Sequence, residues 1–134
     1  MPSKAKVLGF FVLSLGGAPL LAHHPFSSEF DANKPVTLTG MVADVEWSKP
    51  HVSFYLDSKN NSGVNEQWKL EMASPDFLTE RGIKRGTFKK GERLTVRAYR
   101  ASNGARTASA RVVTTAHGED LQVADPQEDG GPAK

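Results

Sequence analysis

The sequence has 134 residues, 38% of them hydrophobic and 24% charged, with a formal net charge of +2. That length suits one domain. The absence of cysteine excludes disulfides, thiolate chemistry and a Cys-linked lipid, so stability is expected from the core alone.

The first 22 residues predict a secretory signal peptide. Lys4 and Lys6 give a basic start, and Val7 to Leu15 is an apolar run, well short of the roughly 20 residues a membrane span needs. Gly16, Gly17 and Pro19 break the run, and Leu20-Leu21-Ala22 ends on a small residue. Cleavage after Ala22 is expected, giving a periplasmic or secreted protein. His23 to Lys34 has no clear period, and Phe26 and Phe30 are its large apolar residues; they are expected to pin this segment to the domain.

Val36 to Trp47 predicts a long, bent first strand. Val36, Leu38, Gly40 and Val42 share one face by two-residue alternation, whereas Val45 and Trp47 fall on the opposite parity. One straight strand cannot bury both sets. A bulge near Ala43-Asp44 restores the register, and Gly40 lets the strand coil sharply. Pro35, which has no N–H to give a ladder, is expected at the strand's start. Ser48-Lys49-Pro50 predicts a turn. His51 then opens a second strand with Val52, Phe54 and Leu56 inward. Asp57 to Asn65 is a loop dense in turn formers. The third strand is Glu66 to Ala73, with Trp68, Leu70 and Met72 inward.

Ser74-Pro75-Asp76 is a helix start, with an N-cap hydroxyl, a proline at the first helical position and an acid in the first turn. The helix is expected over Pro75 to Arg81, ended by Gly82, with Phe77, Leu78 and Ile83 plugging one end of the barrel. A fourth strand over Glu92 to Arg100 and a fifth over about Arg106 to Thr115 follow, then a short strand at Leu121 and Val123. Residues 124–134 are polar and rich in Pro and Gly, and a disordered tail is expected there. The domain therefore spans 23–123. Its order, β-β-β-α-β-β, is that of a five- to six-stranded OB-like Greek-key barrel with one short capping helix.

This stretch resembles a family of small exported bacterial proteins that carry an uncharacterised domain. The likeness rests on Ala22-His23-His24, Phe30-Asp31, Pro35 to Gly40, Val45-Glu46-Trp47, Pro50-His51, Ser74-Pro75 and Lys90-Gly91-Glu92. Together these span nearly all of His23 to Val123. The resemblance implies a periplasmic, single-domain, OB-like protein of unknown function, and supplies no catalytic residues. Two positions depart from it: Pro25 follows the paired histidines where the family has serine, and Lys49 precedes Pro50-His51 where the family has asparagine.

Charge is unevenly spread. Without Lys4 and Lys6, 15 basic and 15 acidic residues remain. His23 to Glu80 holds four basic and nine acidic residues, Arg81 to Arg111 ten and one, and Val112 to Lys134 one and five. The stretch 81–111 is either a face for an anionic partner or is paired internally across strands; the second is favoured.

Chemistry is sparse. His23, His24 and His51 form the sharpest set. A free amine at His23, its ring and a third nitrogen would suit a copper-type ion, and His51 sits on the rim where OB barrels bind ligands. His117 lies in a turn and is expected to be exposed. Trp47, Tyr55, Arg97 and Tyr99, with Arg100, are a second candidate, a stacking and anion-binding face. With charge balanced after export, an oligosaccharide, a small ligand or a periplasmic protein suits such a face better than nucleic acid. There is no Gly-x-Ser-x-Gly, His-Glu-x-x-His, phosphate loop or Cys nucleophile, and Asp44 and Glu46 share one solvated strand face. The expectation is a binding protein and not an enzyme.

Overall fold

A computed structural model describes residues 26–128. The expected signal peptide, His23 and His24 lie outside these residues. The elements are α1 (Phe26–Glu29), β1 (Phe30–Glu46), β2 (Ser53–Lys59), β3 (Asn65–Glu71), α2 (Pro75–Glu80), a 3-10 turn (Arg85–Thr87), β4 (Arg93–Ala101), β5 (Thr107–Thr114) and β6 (Asp120–Gln122). The strands form one sheet in the order β3-β2-β1-β4-β5-β6, and a parallel β3–β5 pairing closes it. This is the OB barrel, with β6 added beside β5.

β1 serves both walls. Its first part, Phe30 to Met41, pairs with β4, and its second part, Gly40 to Glu46, pairs with β2. The register shifts between Val42 and Asp44, so Ala43 is the extra residue of a bulge. Val42 is buried on one side of that bulge, while Val45 and Trp47 pack against the core on the other. Gly40 lies where the two pairings overlap, opposite Ser58 and Leu94. A Cβ at that position would overlap the Asp57 carbonyl oxygen, so β2 approaches as closely as it does only because the residue is glycine.

β1 begins six residues earlier than Val36, and Pro35 sits inside it, opposite Tyr99. The missing N–H is tolerated because this part of β1 pairs on the β4 side alone and its register is irregular between Phe30 and Pro35.

The inward rows are Val52, Phe54 and Leu56; Trp68, Leu70 and Met72; and Leu94, Val96 and Ala98. α2 closes one end with Leu78 and Ile83. The Phe77 N–H donates to the Ser74 Oγ at 3.2 Å, and Gly82, at φ 76°, ends the helix. The 3-10 turn, to which the sequence reading gave no element, leads Phe88 into the core, where its ring stacks on Phe54 at 5.7 Å.

The seam opposite β1 is short. β3 and β5 pair over three positions, Lys69 to Glu71 against Thr107 to Ser109. Beyond them Val123, fully buried, bridges the strands: its N–H donates to the Arg111 carbonyl at 3.1 Å and its carbonyl accepts from the Ala73 N–H at 2.8 Å.

Candidate binding site at the barrel seam

Three segments meet where β3 and β5 part. The loop from β1 to β2 brings Pro50 and His51; α1 and the start of β1 bring Phe26 and Phe30; and the chain after Val123 folds into a turn over Asp125–Glu128. Between them lies a cleft of about 260 Å³ whose apolar floor includes Met72, Ala73 and Ala110. The segment from Ala124 was expected to be disordered; Ala124 to Glu128 lies against the cleft, and the rest of it falls outside the described residues.

His51 stands on the cleft's edge, clamped by two carboxylates. Its Nδ1 is 3.0 Å from Glu71 and its Nε2 is 2.8 Å from Glu128. The hydrogen bond to Glu71 is the main reason its pKa is pushed up to about 9; partial burial opposes this, and Glu128 adds to it. At neutral pH the ring is therefore an imidazolium that donates from both nitrogens. In that arrangement neither nitrogen offers a lone pair to a metal. Among the described residues no three His, Cys, Asp or Glu side chains converge as a metal set.

On the other side, the Arg111 guanidinium lies 5.5 Å from the Phe26 ring and 5.2 Å from the Tyr99 ring. Phe26 packs on Phe30 at 5.5 Å and edge-on to Tyr99 at 6.2 Å. The cation and rings fix α1 against β4 and β5 and shape one wall of the cleft.

The remaining sequence candidates are dispersed. Trp47 is half-buried against the core. The Tyr55 hydroxyl donates to Glu46 at 3.0 Å, with the Lys69 ammonium 5.9 Å from its ring. Arg97 faces Asp120 at 3.8 Å. Arg100 turns toward the barrel's end, over Trp68 at 5.2 Å, and donates to the Gly104 carbonyl. Tyr99 adjoins the cleft through Phe26 and Arg111, whereas Tyr55 belongs to the β2–β3 surface. His117 is exposed in the β5–β6 turn.

Glu71, Arg111 and Glu128 went unmarked in the sequence. Glu71 was within reach: continuing the β2–β3 register past Ser53–Glu71 places His51 opposite Ala73 and diagonal to Glu71, on the outward face. No local pattern marks Glu128, whose position depends on the whole path through β6.

The sequence profile of a family of unknown function, DUF6152, matches residues 11–110. No curated protein matches the sequence. Among solved structures, a dimeric N-terminal domain of PriB protein from Thermoanaerobacter tencongensis is 23% identical at a TM-score of 0.46, over 62% of this chain and 96% of that one. Two crystal structures of the mitochondrial single-stranded DNA binding protein Rim1 from S. cerevisiae are 11% and 13% identical, with TM-scores of 0.44 and 0.42, over 71% of this chain and 98% of theirs.

Proposed function

The chain belongs to the DUF6152 family, whose description assigns no activity, and from the geometry of the seam we propose that it is an exported, non-catalytic binding module that receives an apolar side chain of a partner protein in the seam cleft. The observation that carries this is the cleft itself: Phe26, Phe30, Met72, Ala73 and Ala110 form an apolar floor, with charged groups at the edge. Its volume of about 260 Å³ falls below the roughly 300–1,000 Å³ typical of sites for drug-sized ligands. A side chain presented by a partner segment fits that size better than a cofactor. The edge charges, His51 and Arg111 against Glu29, Glu71, Asp125 and Glu128, would set orientation.

Selection from a random displayed-peptide library on the mature protein tests the reading. The expected result is a set of peptides sharing one apolar anchor, which shift the backbone amide signals of His51, Ala73 and Ala110 but not those of Lys59 and His117. Shifts confined to other surfaces overturn it. Copper(II) titration of the wild type and His51→Ala is the parallel arm. A copper site using His23, His24 and His51 requires His51 to leave both carboxylates, so binding abolished by His51→Ala would replace the partner-segment reading with a metal one. Mass spectrometry of the mature N-terminus tests export, with cleavage after Ala22 the expected result.

A further inference from the structure

Six cations fall within the segment from Arg81 to Arg93: Arg81, Lys84, Arg85, Lys89, Lys90 and Arg93. All are exposed. The segment is held rigidly beneath them. Ile83 and Phe88 are buried in the core, the Gly91 N–H donates to the Val42 carbonyl at 2.8 Å, and the Val42 N–H donates to the Glu92 carbonyl at 2.9 Å. Neutralisation is slight. Lys90 pairs with Asp44 at 3.4 Å, and Arg81 lies over the Phe77 ring at 3.4 Å. Glu92, the one acid within the segment, accepts from the Lys89 backbone N–H, and Glu80 borders it. Among the described residues Lys84, Arg85, Lys89 and Arg93 have no carboxylate within ion-pair distance. Met41, 49% exposed, stands beside Arg93 on the same sheet face. Its other neighbour, Asp57, accepts a hydrogen bond from Gln67.

We propose that this end of the barrel docks on the anionic headgroup surface of a phospholipid bilayer, with Met41 entering the headgroup layer. The surface contributes no residue to the seam cleft and is separate from it. Its chemistry is that of lysine and arginine cations on flexible stems beside one apolar side chain, which suits a fluid anionic surface. A single nucleic-acid strand calls for open aromatic faces, and here Phe88 is buried while the Phe77 face is covered by Arg81.

Vesicle co-sedimentation of the full chain tests this, with phosphatidylglycerol-containing vesicles set against pure phosphatidylcholine. The expected result is binding to the anionic vesicles that weakens steeply with salt and falls at least about tenfold in the triple variant K84E/R85E/K89E, while Lys59→Glu on the β2–β3 side changes it little. The three side chains point to solvent, so near-ultraviolet circular dichroism and the melting temperature should be unchanged. Where the apolar run Val7–Leu15 is retained it would bind both compositions, so the difference between compositions isolates headgroup charge. Equal binding to both compositions overturns the proposal. So does undiminished binding by the folded triple variant. Binding of a sulfated oligosaccharide in place of vesicles would assign the surface to a soluble polyanion and also overturn it.

Discussion

His51 shows how one side chain ties distant parts of the chain together. It joins the β1–β2 loop to Glu71 on β3 and to Glu128, 77 residues away. Its pKa is raised from 6.5 to about 9, so the folded state holds the proton more tightly than the unfolded chain does. The stabilisation is complete below about pH 6.5 and is lost as pH rises through 9. His51→Gln is expected to lower stability by about 1–2 kcal/mol at pH 6 and by much less at pH 9.5. That lies below the roughly 3 kcal/mol the shift alone implies, because solvent screens the pairs. Urea denaturation at the two pH values checks it; equal losses at both would show that the charge contributes nothing. Gly40 gives a harsher case. Gly40→Ala drives a methyl into the Asp57 carbonyl and is expected to cost about 3 kcal/mol or more, read as a lowered urea midpoint or as failure to fold.

The elements divide by how local their causes are. The bulge in β1 was legible because Val42 and Val45 lie on opposite parities and both are apolar, a conflict that a single extra residue resolves. α2 was legible because Ser74, Pro75 and Gly82 mark its ends by chemistry that acts within a turn. The extension of β1 back to Phe30 was not legible. Asp31, Asn33 and Lys34 are polar, and the segment is strand because its flanks, Phe30 and Pro35, pair with Ala101 and Tyr99 on β4 some sixty to seventy residues on, not by its own preference. Of the candidate site the sequence marked His51 and, as pinning or face residues, Phe26, Phe30 and Tyr99; Glu71, Arg111 and Glu128 were not legible, because they come from other segments. The 3-10 turn was missed for the same reason: its role is to deliver Phe88. Phe88→Ala is expected to cost about 3–5 kcal/mol, as for other large-to-small core changes, against less than about 0.5 kcal/mol for Arg85→Ala on the exposed side of the same turn; thermal melts of both variants check the contrast.

At the scale of the whole molecule, the β3–β5 closure is extended by a single residue near the end of the described chain. β5 gives its edge to β3 over Thr107–Ser109 and to β6 over Val112–Thr114, and Val123 spans the place where neither reaches. A chain ending at Gln122 loses the buried Val123 side chain, two backbone hydrogen bonds and the Glu128 partner of His51, and is expected to lose about 3 kcal/mol or more. Native-state hydrogen exchange should show the Ala73 amide losing protection first; unchanged protection there would rule out a bridging role. The charge division also takes form at this scale. Lys90, in the turn before β4, pairs with Asp44 on β1, and Arg97 on β4 pairs with Asp120 on β6, whereas the pairing favoured from the sequence was between acidic β1–β3 and basic β4–β5. Lys84, Arg85, Lys89 and Arg93 join neither pair, and they leave one end of the barrel basic.

The bridge at Val123 has a consequence in time. A polypeptide emerges N-terminus first, whether from a ribosome or through a pore. β1 must wait for β4, and the seam must wait for Val123, so almost the whole domain has to be clear before the sheet can shut. Until then β3 and β5 present open edges, and the seam is completed only by the residue just past the last strand.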